Sequence, residues 1–497
     1  MPHRQVFRFD PEGVVEAMRL GEPAECIESK FGYNDHVINW FSEKGFWRIW
    51  ESMRADVKRA NGIPQECLNG VFAALTLSRI GSIQKADPML EDGRLMTELG
   101  FNIITVQKRL KDGKGVIHRD TLRNHVKRIP VAESKRAFYE HVSLMRSRKW
   151  LRGGVYAADG MKIEVTSGKS YEGCGRVWDP ERKQFVFGYK VVYVFNLSPE
   201  RPRIIAIAIG PINADERTLL VEALQDLRAH VCNPRDIIDI LVLDRGYWGV
   251  EHLSRLKGEF GLDIVTICKA GLTIHDEAQR LVALDQGKRP LIRHRRRVNN
   301  QGHESRYIRR IRAVEGLEAL DKAGTVSIRL NAVCVSEVDE DSGEASDTIF
   351  LTTLDVSANS AKVVDYYDQR WSIENRCNRE LSQNWNVRRP IGRRLTAIFA
   401  QLCMASMCLN AVRIYREHKP KDAEKLESEM RTQGHKSYML GRGAVVIVPG
   451  RQIYATMRYV RYLNLLALKA ARRSAELVSQ GIPMEQVLEI VSQEMKE

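Results

Sequence analysis

The sequence lacks the cysteine and histidine spacing of a zinc-binding protein. Its nine cysteines are scattered, and no Cys-x-x-Cys pair or Cys/His cluster occurs among them, which excludes the common zinc-finger arrangements. Several cysteines stand in apolar runs, where the expected role is a buried thiol: Cys268, Cys334, Cys403 and Cys408. This cysteine usage indicates a reducing compartment.

The sequence also has little that would place it in a membrane. The first residues, Met1-Pro2-His3-Arg4-Gln5, lack the apolar core of a signal peptide. The most apolar stretch, residues 395–412, is interrupted by Gln401, Ser406 and Asn410, so it predicts a buried core helix in preference to a transmembrane one. No internal repeat or low-complexity segment is evident. We therefore expect a cytoplasmic protein without a membrane partner.

Acidic residues are outnumbered by basic ones. The 497-residue chain has 63 Asp and Glu against 77 Lys and Arg, a net charge of +14. This excess predicts a polyanionic partner, nucleic acid before an acidic membrane surface, with a merely basic soluble enzyme as the alternative. Hydrophobic residues make up 43% of the chain, enough for a sizeable core, and the length predicts about two to four domains.

The first 150 residues read as a mainly helical region. Apolar residues recur at helical spacing in residues 41–59 and 64–79, whereas residues 100–115 read as a loop with exposed lysines and Arg109. Residues 117–130 predict a short helix capped by Asp120 or Thr121 and closed by Pro130. Basic side chains lie off its apolar stripe, and we expect DNA contacts from this region, with a solvated basic face as the alternative: Arg119, Arg123, Lys127 and Arg128.

After residue 150 the pattern predicts an α/β fold, a mixed sheet flanked by helices. The predicted strands are residues 154–165, 185–196, 203–210, 239–244 and 263–269, and the predicted helices are residues 216–230 and 249–260. Asp159 and Asp244 would then lie on neighbouring strands.

Residues 272–357 interrupt the α/β alternation and predict a β-rich insertion. Residues 307–314, 325–335 and 348–355 read as strands, and the acidic residues 337–341 read as a solvated hairpin tip. The basic run 293–297 is expected to contact DNA, although such a run is often a solvated face. Beyond the insertion, residues 361–416 read as helical, and residues 417–497 as polar and then helical.

Three acidic residues have the placement that a two-metal site requires. Asp159 and Asp244 each end an apolar run, and Glu374 lies in a stretch with helical character, residues 361–383. Carboxylates bind hard cations such as Mg²⁺ or Mn²⁺, and two such ions about 3.5–4 Å apart can activate the attacking oxygen and stabilise the leaving oxygen of a phosphodiester.

Tyr367, Arg370 and Glu374 stand in the spacing Tyr-x2-Arg-x3-Glu. This pattern resembles the Y-(2)-R-(3)-E-(6)-K signature of the DDE transposases of bacterial insertion sequences, the IS-four superfamily. The resemblance covers residues 150–415 and includes further stretches similar to landmarks of that family: Gly188-Tyr189-Lys190, Asn213-Ala214-Asp215 and Asp244-Arg245-Gly246-Tyr247. One position departs, since Leu381 replaces the signature lysine; Arg376 and Arg379 are nearby cations with a different helical phase.

The resemblance implies an RNase H-like catalytic core, formed by residues 151–271 and 358–416, between a DNA-binding region 1–150 and a helical region 417–497. It implies cleavage of double-stranded DNA at transposon ends and attack of the 3′-OH on target DNA. Asp159, Asp244 and Glu374 would hold the metals, Mg²⁺ or Mn²⁺, with two ions per site. A synaptic homodimer at the nucleoid is also implied. The rivals are a nuclease that does not join strands and a transposase-derived DNA-binding protein.

Further side chains are predicted to touch DNA. On a helix, Tyr367, Arg370 and Glu374 share one face, so Tyr367 and Arg370 would reach the phosphate beside the metals; an exposed helix with an Arg370–Glu374 pair is the alternative. Lys190 on its strand is a DNA contact or a solvated end. Tyr247 and Trp248 stack an unpaired base or pack under the next helix. Asp215 and Glu216 are expected to cap the helix that follows them.

Overall fold

The computed structural model describes residues 8–29, 34–56, 63–112, 115–151, 153–198, 202–284, 289–298, 304–370, 377–432 and 443–494. Contacts between backbone segments divide the chain into two compact units. Unit 1 combines Met1–Ala137 with Trp385–Glu497, and unit 2 is Phe138–Asn384. The two ends of the chain therefore build one unit together, and unit 2 is continuous in sequence.

The N-terminal part of the chain is mainly helical, as its apolar spacing predicts. Its elements are β1 (Arg8–Phe9), α1 (Pro11–Arg19), β2 (Glu25–Ser29), α2 (Asn34–Glu43), α3 (Phe46–Glu51), α4 (Gln65–Leu77), α5 (Asp87–Leu90), α6 (Gly93–Glu98), α7 (Ile103–Lys111), α8 (Arg119–Val126) and α9 (Val131–Ser147). The loop expected over residues 100–115 is wrong, because α7 fills most of it. The cap of α8 also differs: the ring of His118, not Asp120 or Thr121, accepts the bond from the Asp120 amide.

Unit 2 is built on one large mixed sheet with helices against it. Its elements are β3 (Gly154–Val165), β4 (Gly175–Asp179), β5 (Gln184–Asn196), β6 (Ile204–Pro211), α10 (Glu216–His230), β7 (Ile238–Leu243), α11 (Val250–Phe260), β8 (Asp263–Ile267), α12 (Thr273–Leu284), β9 (Leu291–Val298), β10 (Glu304–Leu320), β11 (Ser327–Asp339), β12 (Ala345–Thr352), α13 (Ser360–Gln369) and α14 (Arg379–Gln383).

The sheet order is β4-β5-β3-β7-β8-β12-β11-β10-β9, with β6 paired to β5. Among the described strands of this sheet, only β3–β7 and β7–β8 pair in parallel, so parallel strands form its centre and antiparallel ones its flanks. Helix α10 packs on β5 and β6, and α13 packs on β8 and the strands beyond it. This arrangement confirms a mixed sheet flanked by helices and is compatible with an RNase H-like domain.

The strands of the predicted insertion extend this sheet. Strand β12 pairs antiparallel with β8 through Phe350–Ile267 and Thr352–Val265. Strands β11, β10 and β9 follow β12 in this order toward the edge of the sheet. Three features were missed: strand β4, helix α12 and strand β9, which contains the whole basic run. The hairpin tip is found at Glu340–Gly343, where Asp339 accepts amide bonds from Asp341 and Ser342.

The C-terminal part adds a second, smaller sheet to unit 1. Its elements are α15 (Leu395–His418), α16 (Pro420–Thr432), β13 (Gly443–Val448), β14 (Ile453–Arg458), α17 (Tyr459–Ser479) and α18 (Met484–Glu494). Strands β13 and β14, which the sequence reading missed, join β1 and β2 in the order β1-β14-β13-β2. The division into four regions predicted from sequence stays a prediction, but α15, which that division places in the catalytic core, belongs to unit 1 by its contacts.

Helix α15 is the apolar stretch noted in the sequence. Among the described residues it alone is long and apolar enough to cross a membrane, and 89% of its most apolar window is buried inside the molecule. Its interrupting Gln401 is satisfied by the chain itself, because its amide donates to the Arg389 carbonyl at 3.1 Å and accepts from the Ile391 amide at 2.8 Å. Burial with satisfied polar groups is typical of a core helix.

Candidate active site

Asp159 and Asp244 are brought side by side by the parallel pairing of β3 and β7. The register runs from Val155–Ile240 to Ala158–Leu243, and each aspartate is the next residue of its strand. Asp159 ends the apolar run but not the strand, because β3 continues to Val165 on its pairing with β5. Asp244 directly follows the last residue of β7, so the pairing between β3 and β7 ends next to the two carboxylates.

Asp244 receives a hydrogen bond from the helix that carries the signature spacing. The Tyr367 hydroxyl on α13 donates to Asp244 Oδ1 over 3.3 Å, and Arg370 Nη2 lies 4.0 Å from the same oxygen. Tyr367 is 8% exposed, and its ring packs on Phe350 with centroids 5.1 Å apart. The Tyr367 hydroxyl and the Arg370 guanidinium therefore both lie against the Asp244 carboxylate.

Burial keeps Tyr367 protonated. Desolvation raises the pKa of Tyr367 to about 12, with Arg370 lowering it and Asp244 raising it. A phenol with this pKa remains a donor throughout the neutral range, so its bond to Asp244 does not depend on pH there.

Asp159 is held by a side chain that the sequence reading missed. Asn378 Nδ2 donates to Asp159 Oδ2 at 2.6 Å. Asn378 immediately precedes α14 and stands four residues after Glu374, a spacing that places residues on one helical face. That spacing is the one signal in the sequence that could have pointed to it.

Glu374 lies outside the described residues, as does Arg376, so their predicted roles stay predictions. Leu381, at the position of the signature lysine, is fully buried in α14. Arg379 is exposed and donates to Gln383 at 3.2 Å. A lysine at position 381 would have to bury its ammonium in this chain.

Lys190 is tied to the start of α10. Its ammonium donates to the Ala214 carbonyl at 2.9 Å and lies 3.3 Å from Glu216 Oε1. The Glu216 carboxylate in turn lies against Gly160, where a Cβ would come within 2.5 Å of it. Asp215 caps α10 by accepting from the Arg217 amide, which confirms the predicted cap.

Tyr247 and Trp248 differ in accessibility. Tyr247 is 1% exposed and packs against His252 with ring centroids 6.3 Å apart. Tyr247 therefore packs under the next helix, and its ring offers no face on which a base could stack. Burial, together with the charges of Glu216 and Asp159, raises the pKa of Tyr247. Trp248 lines a cavity of about 1130 Å³ beside α10 and α11, where its predicted contact with a base stays a prediction.

The four basic residues predicted to touch DNA in unit 1 lie on or just after α8, and Arg119 pairs with Asp87. Arg123 pairs with Asp120 across one turn and is partly exposed. Lys127 follows the helix, and its carbonyl accepts from the Thr396 hydroxyl at 2.8 Å. Their side chains are placed at the surface of unit 1, and their contact with DNA stays a prediction.

Two of the three predicted carboxylates are available to a metal. Asp159 and Asp244 present oxygen ligands, the kind that Mg²⁺ and Mn²⁺ prefer. Within the described ranges no group of three His, Cys, Asp or Glu side chains converges, and the predicted third ligand, Glu374, falls in the gap 371–376. The donor chemistry therefore fits a hard divalent cation.

A mixed sheet that sets two aspartates together at its centre, with Tyr367 of a flanking helix bonded to one of them, is compatible with a DDE enzyme. The model of the family described as "Transposase DDE domain" matches residues 150–411, just over half of the 497-residue chain. The protein belongs to the transposase DDE domain family. No curated protein matches the chain.

Family membership indicates a transposase-type nuclease that acts on DNA. Enzymes of this family generally use divalent metal ions. The matched segment contains Asp159, Asp244, Tyr367 and Arg370 and covers most of unit 2.

Proposed function

We propose that this chain is a DNA transposase that binds the terminal repeats of its element, cleaves the DNA at these ends and joins the 3′-OH to target DNA. The observation that carries this function is the register of β3 and β7, which sets Asp159 beside Asp244, with Tyr367 and Arg370 directed at the latter. Within the family we assign the chain to the Y-R-E-K signature type of the IS-four superfamily.

Asp159, Asp244 and Glu374 would hold Mg²⁺ or Mn²⁺, two ions per site. When bound, such ions supply activation of the attacking oxygen and charge stabilisation of the leaving oxygen. The chain's own side chains orient the carboxylates: Asn378 fixes Asp159 and Tyr367 fixes Asp244. Arg370, mostly buried beside Asp244, provides positive charge where a phosphate enters.

Leu381 means that this chain lacks the cation of the signature. Arg370 is the described cation nearest to Asp244, and Arg376 stands two residues after Glu374. Because Arg370 is the arginine of the signature itself, we propose that Arg376 takes the place of the lysine. Arginine suits a phosphate because its guanidinium can donate two parallel bonds.

DNA binding is supported by the distribution of charge. The net charge of +14 favours a polyanion. In unit 1 we assign DNA contact to Arg123 and Lys127, and in unit 2 to Lys190, Trp248 and the open face of β9. Lys190 would exchange its bond with Glu216 for a phosphate. The functional form would be a homodimer that holds two ends, at the nucleoid in the cytoplasm.

The test is a product analysis on DNA that carries the inverted repeats flanking the gene, with a supercoiled target. The expected products are ends with a free 3′-OH and joined strands. Cleavage without joined strands would identify a nuclease. Binding without cleavage, with all three acids intact, would identify a DNA-binding protein derived from a transposase.

A further inference from the structure

A row of charges on β9, β10 and β11 faces helix α13. Arg309 on β10 lies opposite Glu337 on β11 and opposite Arg293 on β9, so these side chains share one face of the sheet. The basic run is thereby divided by the strand alternation. Arg293 and Arg295 bond to α13, whereas His294 and Arg296 on the other face are about 70% and 74% exposed.

Asp368 on α13 is the point where these charges meet. Its Oδ2 accepts from Arg309 Nη1 at 2.7 Å and from Arg295 Nη1 at 2.8 Å, and its Oδ1 lies 3.4 Å from Arg309 Nη2. Arg309 also donates to Glu337 through Nε. The Arg309 side chain is 10% exposed, whereas the side chains of Asp368 and Arg295 are 28% and 34% exposed. The Arg309–Asp368 pair is therefore screened by salt less than a fully exposed pair would be.

We propose that Asp368, gripped by Arg309 and Arg295, is a positioning residue that fixes α13 so that Tyr367 and Arg370 meet Asp244. This inference rests on the proposed function. Asp368 directly follows Tyr367 in the helix, and the Tyr367 ring packs outside its own helix on the apolar ring of Phe350. Apolar packing tolerates a rotation of the helix more readily than two charged bonds of fixed direction do.

The neighbouring turn of α13 provides a matched comparison. Asp365 pairs with Arg293 at 2.9 Å, but the side chains are 49% and 44% exposed. Exposed pairs of this kind contribute little. Asp365 and Asp368 thus sit on one helix, each paired with an arginine of the same strand, and differ mainly in burial and in the second arginine.

The experiment compares Asp368→Asn with Asp365→Asn in the full-length chain. Amide hydrogen exchange over residues 360–370 is measured without DNA, and kcat and KM are measured for end cleavage. Asp368→Asn should speed exchange in α13 and lower kcat roughly 10- to 100-fold, the range for a misplaced catalytic geometry, with KM unchanged. Asp365→Asn should match the wild type in all three, and Asp368→Glu should recover most of kcat.

An exchange rate in Asp368→Asn equal to that of the wild type would overturn the positioning role. Absence of DNA cleavage by the wild type would count against the proposed function alone, because the exchange measurement does not depend on cleavage. Equal kcat in the two asparagine variants also overturns it. If Asp368→Asn fails to fold, Arg295→Gln serves as the second variant, because it removes the Arg295–Asp368 ion pair and leaves the Arg309–Asp368 pair intact. It should then show a smaller change of the same kind, and unchanged exchange and kcat in that variant would overturn the role.

Discussion

Single side chains at the site act on each other before any DNA is present. Tyr367 donates a hydrogen bond to Asp244, and Arg370 lies 4.0 Å from the same carboxylate. Asn378 donates a hydrogen bond to Asp159. The sequence predicted Asp159, Asp244, Tyr367 and Arg370 because motif spacing is visible along the chain. Asn378 and Asp368 were not predicted, because their partners stand 219 and 59 positions away and meet them only through the fold.

Tyr367→Phe removes the hydroxyl that donates to Asp244 and leaves the ring against Phe350. Because a bond to a charged acceptor is lost, end cleavage should fall roughly 10-fold, while thermal stability changes little. The ratio of wild-type to variant rate should be constant between about pH 6 and about pH 10, since Tyr367, with a pKa of about 12, loses its proton only above that range. A ratio that changes near neutral pH would indicate that Tyr367 ionises there and would contradict its raised pKa.

Arg370→Ala should reduce cleavage far more than it reduces affinity for the ends. Arg370 lies beside Asp244, where charge develops on the reacting phosphate, and such interactions act mainly in the transition state. Single-turnover cleavage and equilibrium binding of the same end DNA provide the comparison. Equal losses in the two measurements would make Arg370 an ordinary affinity contact.

Helices and strands were predicted best where the apolar pattern is strong. Strand β3 and helix α10 have the predicted bounds, because each carries a long apolar pattern of one period. Strand β9, with five consecutive basic residues, has no apolar face, and it becomes a strand because β10 offers a partner edge. Helix α7 was missed because the glycines at 100 and 115 suggested a loop, although the residues between 103 and 111 contain neither Gly nor Pro.

The two faces of β9 should respond differently to substitution. Arg296→Ala removes an exposed cation and should weaken binding to all DNA sequences alike, lowering the slope of log affinity against log salt by about 1. Arg293→Ala is the control, since Arg293 lies on the face toward α13, pairs with Asp365 and is 44% exposed. Arg296 pairs with Glu304 but is 74% exposed, so Arg293→Ala should change the slope less. A salt titration on end DNA and on scrambled DNA gives both slopes. Identical slopes in the two variants and the wild type would move the DNA contact away from this strand.

The chain as a whole consists of unit 2, which contains the large mixed sheet, and unit 1, which is made from the two ends of the chain. The sequence indicated the sheet because its strands and helices alternate in order. It could not indicate that residues near 8 and near 453 share a sheet, since β-pairing over such a separation leaves no local signal.

Metal dependence is expected of the whole enzyme. Mg²⁺ or Mn²⁺ should support cleavage, whereas Ca²⁺ should permit DNA binding with poor turnover, because Ca²⁺ accepts looser geometry around oxygen ligands. Cleavage is measured after chelation with EDTA and re-addition of each ion. Full activity in excess EDTA would contradict the assignment of the carboxylates to a metal site.

The most direct measurement is strand cleavage of end DNA by Asp159→Asn, Asp244→Asn and Glu374→Gln, with binding of the same DNA measured in parallel. Asp239→Asn is the control, an exposed aspartate on the same strand that leads to Asp244. Each of the three variants should lose cleavage and keep binding, because one missing ligand disables stabilisation of both reacting oxygens, and the control should cleave normally. Near-normal cleavage by Asp159→Asn or Asp244→Asn would contradict the assignment of the paired aspartates as the active site.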